Sequence, residues 1–413
     1  MIILNLKKFF PFILSLSVLL LTILICSITD IKSPVINSNI ELNKSIVNSS
    51  TTDTVNPSKE MRGVWISYME LDMQNEEEKD EQAFRNKFEK MTVKCKEYGF
   101  NTLIVQVRPF ADALYESEYY PYSHLLTGTQ GKNPEYDPLK IMCEISRNHG
   151  MSIHAWVNPY RIKSKSIPYE LSKDNPYVQN SDIGIEYDEG IYLDPSDEKA
   201  RELIINGVIE IVEKYDVDGI QFDDYFYPTT DEEFDSEQYT EYVSNVGENN
   251  KMSLNNWRVA NVNILICDTY RAIHSLEKDV IFGISPQGNI DNNANLYADV
   301  VSWCTCKGFV DYICPQIYFS LENPALSFED CLDSWCSLEY NDNVSLYVGL
   351  SGYKAGSEDY DDGMWKNADD ILAQEYEIIK NNEKVSGFML YSYESLENET
   401  AYREIENLKN ALN

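Results

Sequence analysis

Asp223 and Asp224 stand side by side in the run Asp218-Gly-Ile-Gln-Phe-Asp223-Asp224-Tyr225. Carboxylates this close cannot both ionise freely, so their proton affinities split and one proton donor and one anion coexist near neutral pH. Hydrolysis of a glycosidic bond needs such a pair. Gly219 to Phe222 reads as a short buried strand, and alternation along it places Asp223 on the side of Gln221, facing a barrel axis, while Asp224 begins the following loop. An Asp just after a strand also caps helices and closes turns, an alternative that weighs more on Asp224 than on Asp223. Two further carboxylates are candidates for a second catalytic member: Asp112, in an Ala-rich turn where bonding to loop backbone is an equal alternative, and Glu394, just beyond Tyr391 and Ser392.

Other apolar runs also end in polar and aromatic residues. In chain order these are Ser67 and Tyr68; Arg108, Asp112 and Tyr115; Trp156, Asn158, Tyr160 and Arg161; Tyr225 after the aspartate pair; Ser285 and Gln287; Gln316 and Tyr318; Tyr353; and Tyr391, Tyr393 and Glu394. A sugar offers apolar C–H faces for rings and hydroxyls for amides, so this mixture fits a glycan cleft. The candidate substrate-binding set is Arg108, Asp112, Tyr115, Trp156, Asn158, Tyr160, Arg161, Gln221, Tyr225, Gln316, Tyr318, Tyr353, Tyr391 and Glu394. For Arg108 and Arg161 the commoner fate is pairing with an acid to fix a loop. Trp156 has a core position as its alternative, and His154 is expected buried and satisfied rather than catalytic.

The elements that must position these residues alternate regularly. Eight short apolar runs are predicted as strands: Gly63 to Ile66, Leu103 to Val107, Ile153 to Val157, Gly219 to Phe222, Ile281 to Ile284, Tyr312 to Ile317, Leu346 to Leu350 and Gly387 to Tyr391. Between them, stretches such as Asp80–Lys96, Pro138–Asn148, Asp197–Tyr215, Asn255–Ser275 and Ala368–Asn381 carry apolar residues at helical spacing. Strands apolar on both faces belong to an all-parallel sheet, closed or doubly wound. Polar residues gathered at the strand ends favour the closed form, an α/β fold of the (β/α)₈ TIM-barrel type, with residues 60–413 as one catalytic domain. The acidic stretch Thr229 to Lys251 is long for a strand-to-helix loop and is expected either to cover the site as a lid or to form a solvated insertion.

Ahead of this domain, Lys7 and Lys8 precede an uncharged apolar run from Phe9 to Ile25, which makes residues 1–33 a signal peptide or membrane anchor. Cys26 resembles a lipoprotein cysteine only faintly, because Ile25 is bulky. Residues 34–59, rich in Ser, Asn and Thr and without an aromatic, form a disordered linker. The expected location is therefore extracytoplasmic. Sixty-eight acidic against 34 basic residues give a formal charge of −34, which repels nucleic acid and anionic lipid. Neither finger-type Cys/His spacing nor a Gly-rich phosphate loop is present, so no metal and no cofactor is expected, and no protein partner is implied. The cysteines after Cys26 fall mostly in apolar patterns and are expected reduced and buried.

Several ordered blocks carry a resemblance. They are Arg62-Gly-Val-Trp65; Phe100-Asn-Thr with Val105-Gln-Val-Arg108-Pro and Asp112-Ala-Leu-Tyr115; His154-Ala-Trp156-Val-Asn158-Pro-Tyr160-Arg161; Asp218 through Pro228; Asp311-Tyr-Ile-Cys-Pro-Gln316-Ile-Tyr318; and Gly387-Phe with Tyr391. In these the chain resembles the glycoside-hydrolase-like family ten barrel proteins, a bacterial export group distinct from the family ten xylanases. The resemblance implies a cell-envelope glycosidase whose substrate class includes peptidoglycan glycan strands freed of stem peptides. Hydrolysis of another amino-sugar exopolysaccharide and non-catalytic binding of wall glycan are the alternatives. Asp194, where Asn is usual, and Gln287, where an aromatic is common, depart from the pattern and point to altered subsites. If the substrate carries N-acetyl groups, the acetamido oxygen can attack the anomeric carbon while one aspartate orients it and the other protonates the leaving oxygen. The competing arrangement uses two carboxylates across the bond, about 5 Å apart or roughly 6.5 to 9.5 Å apart, with Asp112 or Glu394 as the second member.

Overall fold

A computed structural model describes residues 60–165, 169–366 and 368–413. The signal or anchor expected over 1–33 and the linker expected over 34–59 lie outside the described residues. Among the described residues no helix is long and apolar enough to cross a membrane.

Among the described residues there are eleven strands: β1 (Met61–Ile66), β2 (Thr102–Arg108), β3 (Ser152–Val157), β4 (Arg161–Lys163), β5 (Gly184–Tyr187), β6 (Gly190–Leu193), β7 (Gly219–Phe222), β8 (Ile281–Ile284), β9 (Tyr312–Ile313), β10 (Ser345–Leu350) and β11 (Val385–Leu390). Eight of them close into a parallel barrel in the order β1-β11-β10-β9-β8-β7-β3-β2. All eight expected strands are there, and the fold is a (β/α)₈ barrel. Parallel strands need crossovers, and the helices supply them with strong start signals. Asp80, Asp137, Asp197 and Ser253 each accept a backbone N–H in the first turn of the helices Glu81–Glu97, Pro138–Asn148, Glu198–Lys214 and Leu254–Ser275.

Sterics inside the barrel set its register. Trp65, Ile104, Trp156, Tyr312, Cys314, Tyr347 and Met389 form one buried cluster. Gly283 lies opposite Tyr312 in the β8–β9 register, and a Cβ there would fall 2.1 Å from the tyrosine ring. The ring occupies the space a side chain would fill. His154 is buried, its Nδ1 3.1 Å from the Tyr312 hydroxyl, and burial pushes its pKa down to about 4. It is a neutral core residue.

Two features depart from expectation, and a third chooses between alternatives. β9 covers Tyr312–Ile313 instead of running to Ile317, because Pro315 has no N–H to give to the ladder. Gln316 rejoins the sheet as isolated bridges to Gln287 and Gly349. Strands β4, β6 and β5 form a small antiparallel sheet between β3 and β7 that the sequence did not announce; runs of three or four residues, partly exposed, are too short for a periodicity. Of the two forms expected for the acidic insertion, its helix has the exposure of the solvated one. The insertion carries a helix, Ser236–Val246, with no buried residue, and is bound to the helix Leu254–Ser275 through the buried Asp235–Arg258 pair and through Tyr239 and Tyr242 packed on Trp257. Eight cysteines of the described residues are free thiols, seven of them buried.

Candidate active site

The β7 strand delivers the aspartate pair to the C-terminal mouth of the barrel. Trp156 of β3 lies opposite Gln221 of β7, so two residues on, Asn158 lies beside Asp223 on the same face. Trp156 Nε1 donates to Asp223 Oδ2 at 3.0 Å, Asn158 Nδ2 donates at 3.1 Å, and the Tyr225 backbone N–H reaches Oδ1 at 3.2 Å. Asp223 is only 4% exposed. Burial, and then the charge of Asp224, push its pKa up to about 6, against the lowering by Arg161 and the Trp156 hydrogen bond.

Asp224 is held from the opposite flank. Gln316 Nε2 donates to Oδ1 at 3.0 Å, and Gln287 Nε2 donates to Oδ2. The Gln316 amide also donates to the Ser285 carbonyl at 2.9 Å, which fixes which of its ends faces the acid. Gln287 reaches Asp224 because the next residue is glycine: a Cβ on Gly288 would meet the Gln316 carbonyl oxygen at 2.2 Å. Burial raises the Asp224 pKa, while the two glutamine hydrogen bonds pull it down. Thus the neighbouring carboxylates are splayed, one bonded to β3 residues and the other to the β8 and β9 side.

Both aspartates line a cavity of about 270 Å³ with Trp65, Trp156, Gln221, Tyr225, Ser285, Gln287, Gln316, Tyr318, Tyr353 and Tyr391. Trp65 Nε1 donates to Gln221 Oε1 at 2.6 Å on the cavity floor. Tyr318, Tyr353 and Tyr391 form one wall, with ring centres 5.7 to 6.0 Å apart, and Tyr360 extends it edge-on from Tyr353 at 5.3 Å. Tyr225, 58% exposed, forms the facing rim.

Of the predicted site residues, Asp223, Asp224, Trp156, Gln221, Tyr225, Gln316, Tyr318, Tyr353 and Tyr391 line this cavity, and Asn158 bonds the first aspartate from just outside it. Arg161 borders it, its guanidinium carbon 5.4 Å from the Tyr225 ring centre. The others are placed elsewhere. Arg108 is buried, with Nη2 on the Pro159 carbonyl and its guanidinium over Tyr120. Asp112 is sealed against Gln130 Nε2 at 3.1 Å and His124 Nδ1 at 3.4 Å. Tyr115 is buried edge-on to Tyr215, and Tyr160 is buried as well. Glu394 is exposed at the start of a short helix, where its backbone N–H donates to Glu70 Oε1. Neither candidate for a second carboxylate reaches the cavity. Trp65 also lines the cavity outside the predicted set; the two-residue alternation that puts it on the face of Gly63 along β1 is the sequence signal for it. Ser285, expected only at a strand end, and Gln287, expected there as a residue that alters a subsite, line the cavity as well.

Comparisons with known proteins agree with this picture. The family described as glycosyl hydrolase-like 10 matches residues 60–367, and the chain belongs to it. It is 34% identical over 359 residues to the glycosyl hydrolase YngK of Bacillus subtilis (strain 168), covering 82% of this chain and 69% of that one. It is 29% identical over 378 residues to the glycosyl hydrolase DigH of Escherichia coli (strain K12), covering 82% and 84%. Among solved structures, the PgaB (BpsB) glycoside hydrolase domain from Bordetella bronchiseptica superposes with a TM-score of 0.55 at 10% identity, covering 86% of this chain and 99% of that one. That likeness concerns the fold. The protein is a glycoside hydrolase.

Proposed function

We propose that this enzyme cleaves an N-acetylated cell-wall glycan, peptide-free peptidoglycan strands in the first place, by attack of the substrate's own acetamido oxygen. The observation that carries the proposal is the cavity's set of carboxylates: among the described residues lining it, only Asp223 and Asp224 are acidic, and they are chain neighbours. Displacement by an enzyme carboxylate, or by a water it activates, requires the two acids on opposite sides of the sugar. Asp112, sealed away, and Glu394, exposed elsewhere, do not line the cavity, which supports a nucleophile supplied by the substrate. The cavity holds about nine water volumes, the scale of one sugar unit.

In this mechanism Asp224, held by Gln287 and Gln316, accepts the acetamido N–H and turns its oxygen toward the anomeric carbon. As the C–O bond from the acetamido oxygen forms, the glycosidic C–O bond breaks and Asp223 gives its proton to the leaving oxygen. Water then attacks the anomeric carbon, returns a proton to Asp223, and reopens the acetamido group. An Asp223 pKa raised to about 6 keeps the acid protonated in mildly acidic solution. The basic and then apolar start of the sequence supports export to the compartment where such a substrate lies.

The test is incubation of the purified protein with peptide-free glycan strands, with intact peptidoglycan and with chitin oligomers, followed by mass spectrometry of products. New reducing ends from the stripped strands support the proposal. Tight binding with no product at any pH would leave a glycan-binding barrel instead.

A further inference from the structure

The cavity and its rim differ in charge. Among the described residues lining the cavity none is Lys, Arg or His, and two, Asp223 and Asp224, are acidic. A sugar bearing its own carboxylate is repelled there. At the rim the charge reverses. Arg161 lies with its guanidinium carbon 4.8 Å from the Phe110 ring centre and 5.4 Å from that of Tyr225. Its Nε donates to the Pro109 carbonyl at 3.0 Å, and its backbone N–H donates to Asn158 Oδ1 at 3.0 Å. The same Asn158 side chain donates to Asp223, so the arginine is registered to the aspartate pair through one residue.

Among the described residues the terminal nitrogens of Arg161 have no hydrogen-bond or ion-pair partner, although its positive charge reaches both aspartates. The other cations near this end are not available to a sugar in the same way: Lys163 lies over the Tyr169 ring, away from the cavity lining. Arg108 is fully buried, and Lys354 is bonded to the Tyr318 carbonyl and Asp361. A planar cation packed against two rings, with its fork unpaired, is built to take a carboxylate.

Resting on the function proposed above, we infer that Arg161 binds the carboxylate of a sugar adjoining the cavity, and that the cavity takes the uncharged sugar of an alternating glycan. In peptidoglycan strands every second sugar, muramic acid, carries a lactyl carboxylate, and the one between is neutral N-acetylglucosamine. Strict alternation makes the consequence independent of chain direction. Whichever side of the scissile bond Arg161 faces, a glucosamine in the cavity has muramic acid on both sides. Every cut therefore leaves N-acetylglucosamine at the new reducing end.

Two readouts on the full-length protein decide this. Products from peptide-free strands are reduced with borohydride, hydrolysed in acid, and the terminal amino-sugar alcohol is identified. Glucosaminitol is expected, and muramicitol overturns the inference while leaving the proposed substrate standing. No new end from these strands overturns both. Second, kcat/KM is measured on the strands and on chitin oligomers, which share the backbone and lack the carboxylate. Arg161→Gln is expected to lower the ratio of the two values about tenfold, the size of one charge-assisted hydrogen bond. Any fall common to both substrates, from altered aspartate ionisation or a smaller folded fraction, cancels in the ratio. Arg161→Lys should recover part of the loss, and an unchanged ratio in Arg161→Gln sinks the role given to the guanidinium.

Discussion

Two carboxylates near the same end of the barrel have opposite fates. Asp112, in the turn after β2, and Asp223, directly after β7, are both almost fully buried, and both accept hydrogen bonds from side chains. Asp112 faces Gln130 and His124 and closes a loop; Asp223 faces Trp156, Asn158 and a cavity. Burial and side-chain hydrogen bonds therefore do not separate a structural acid from a chemical one. An opening wide enough for a sugar does, together with a second acid whose charge raises proton affinity.

The comparison breaks first at Asp223. Asp223→Asn should lower glycan cleavage by about a thousandfold, the scale of a lost general acid, with unaltered far-UV circular dichroism. The same variant should be more stable than the wild type above pH 6. The sign follows from linkage: a carboxyl whose folded pKa is raised from 3.8 to about 6 binds its proton more tightly when folded, so its ionisation opposes folding. That cost is absent below about pH 4, grows as pH rises, and is complete above about 6. Urea unfolding at pH 4 and pH 7.5 should show the variant's advantage only at the higher pH, on the order of 1 to 3 kcal/mol. By the same logic the wild-type rate should fall as pH rises through 6.

Asp112→Ala should show the converse. Stranding Gln130 and His124 in a buried site costs about 1 to 3 kcal/mol, read as a lower urea midpoint, while kcat of the folded fraction stays near wild type. A large fall in kcat with unchanged stability would erase the distinction between the two acids. Gln287→Leu removes one of the two amide donors on Asp224 and should lower kcat by about tenfold, with a smaller change in KM. The smallest effect is expected at the aromatic wall, where Tyr353→Phe should keep the stacking surface and raise KM about twofold at most, and Tyr353→Ala about five- to tenfold.

Much of the fold was legible because barrel strands must be apolar on both faces, and eight such runs alternate with amphipathic helices capped by Asp or Ser. The cavity side of the site was legible where a strand carries its residues on a two-residue period: Trp156 with Asn158, Gln221 with Asp223, Gln316 with Tyr318. Loops after the strands obey no such period. Arg108, Tyr115 and Tyr160 lie at or just beyond strand ends like the cavity residues, yet the chain turns them into the packing beneath the rim.

By itself the sequence determined the barrel, the family and the adjacency of Asp223 and Asp224, since each depends on local pattern or on covalent neighbourhood. Tertiary structure alone decided what that adjacency means. Which flank holds each carboxylate depends on Asn158 just after β3 and on Gln287 and Gln316 from the β8 and β9 side, 65, 63 and 92 residues away in the chain. Whether a further acid joins them depends on loop paths that seal Asp112 and leave Glu394 on the surface. Hydrogen bonds and electrostatic fields act through space, and only the closed barrel brings those distant donors to one pair of acids.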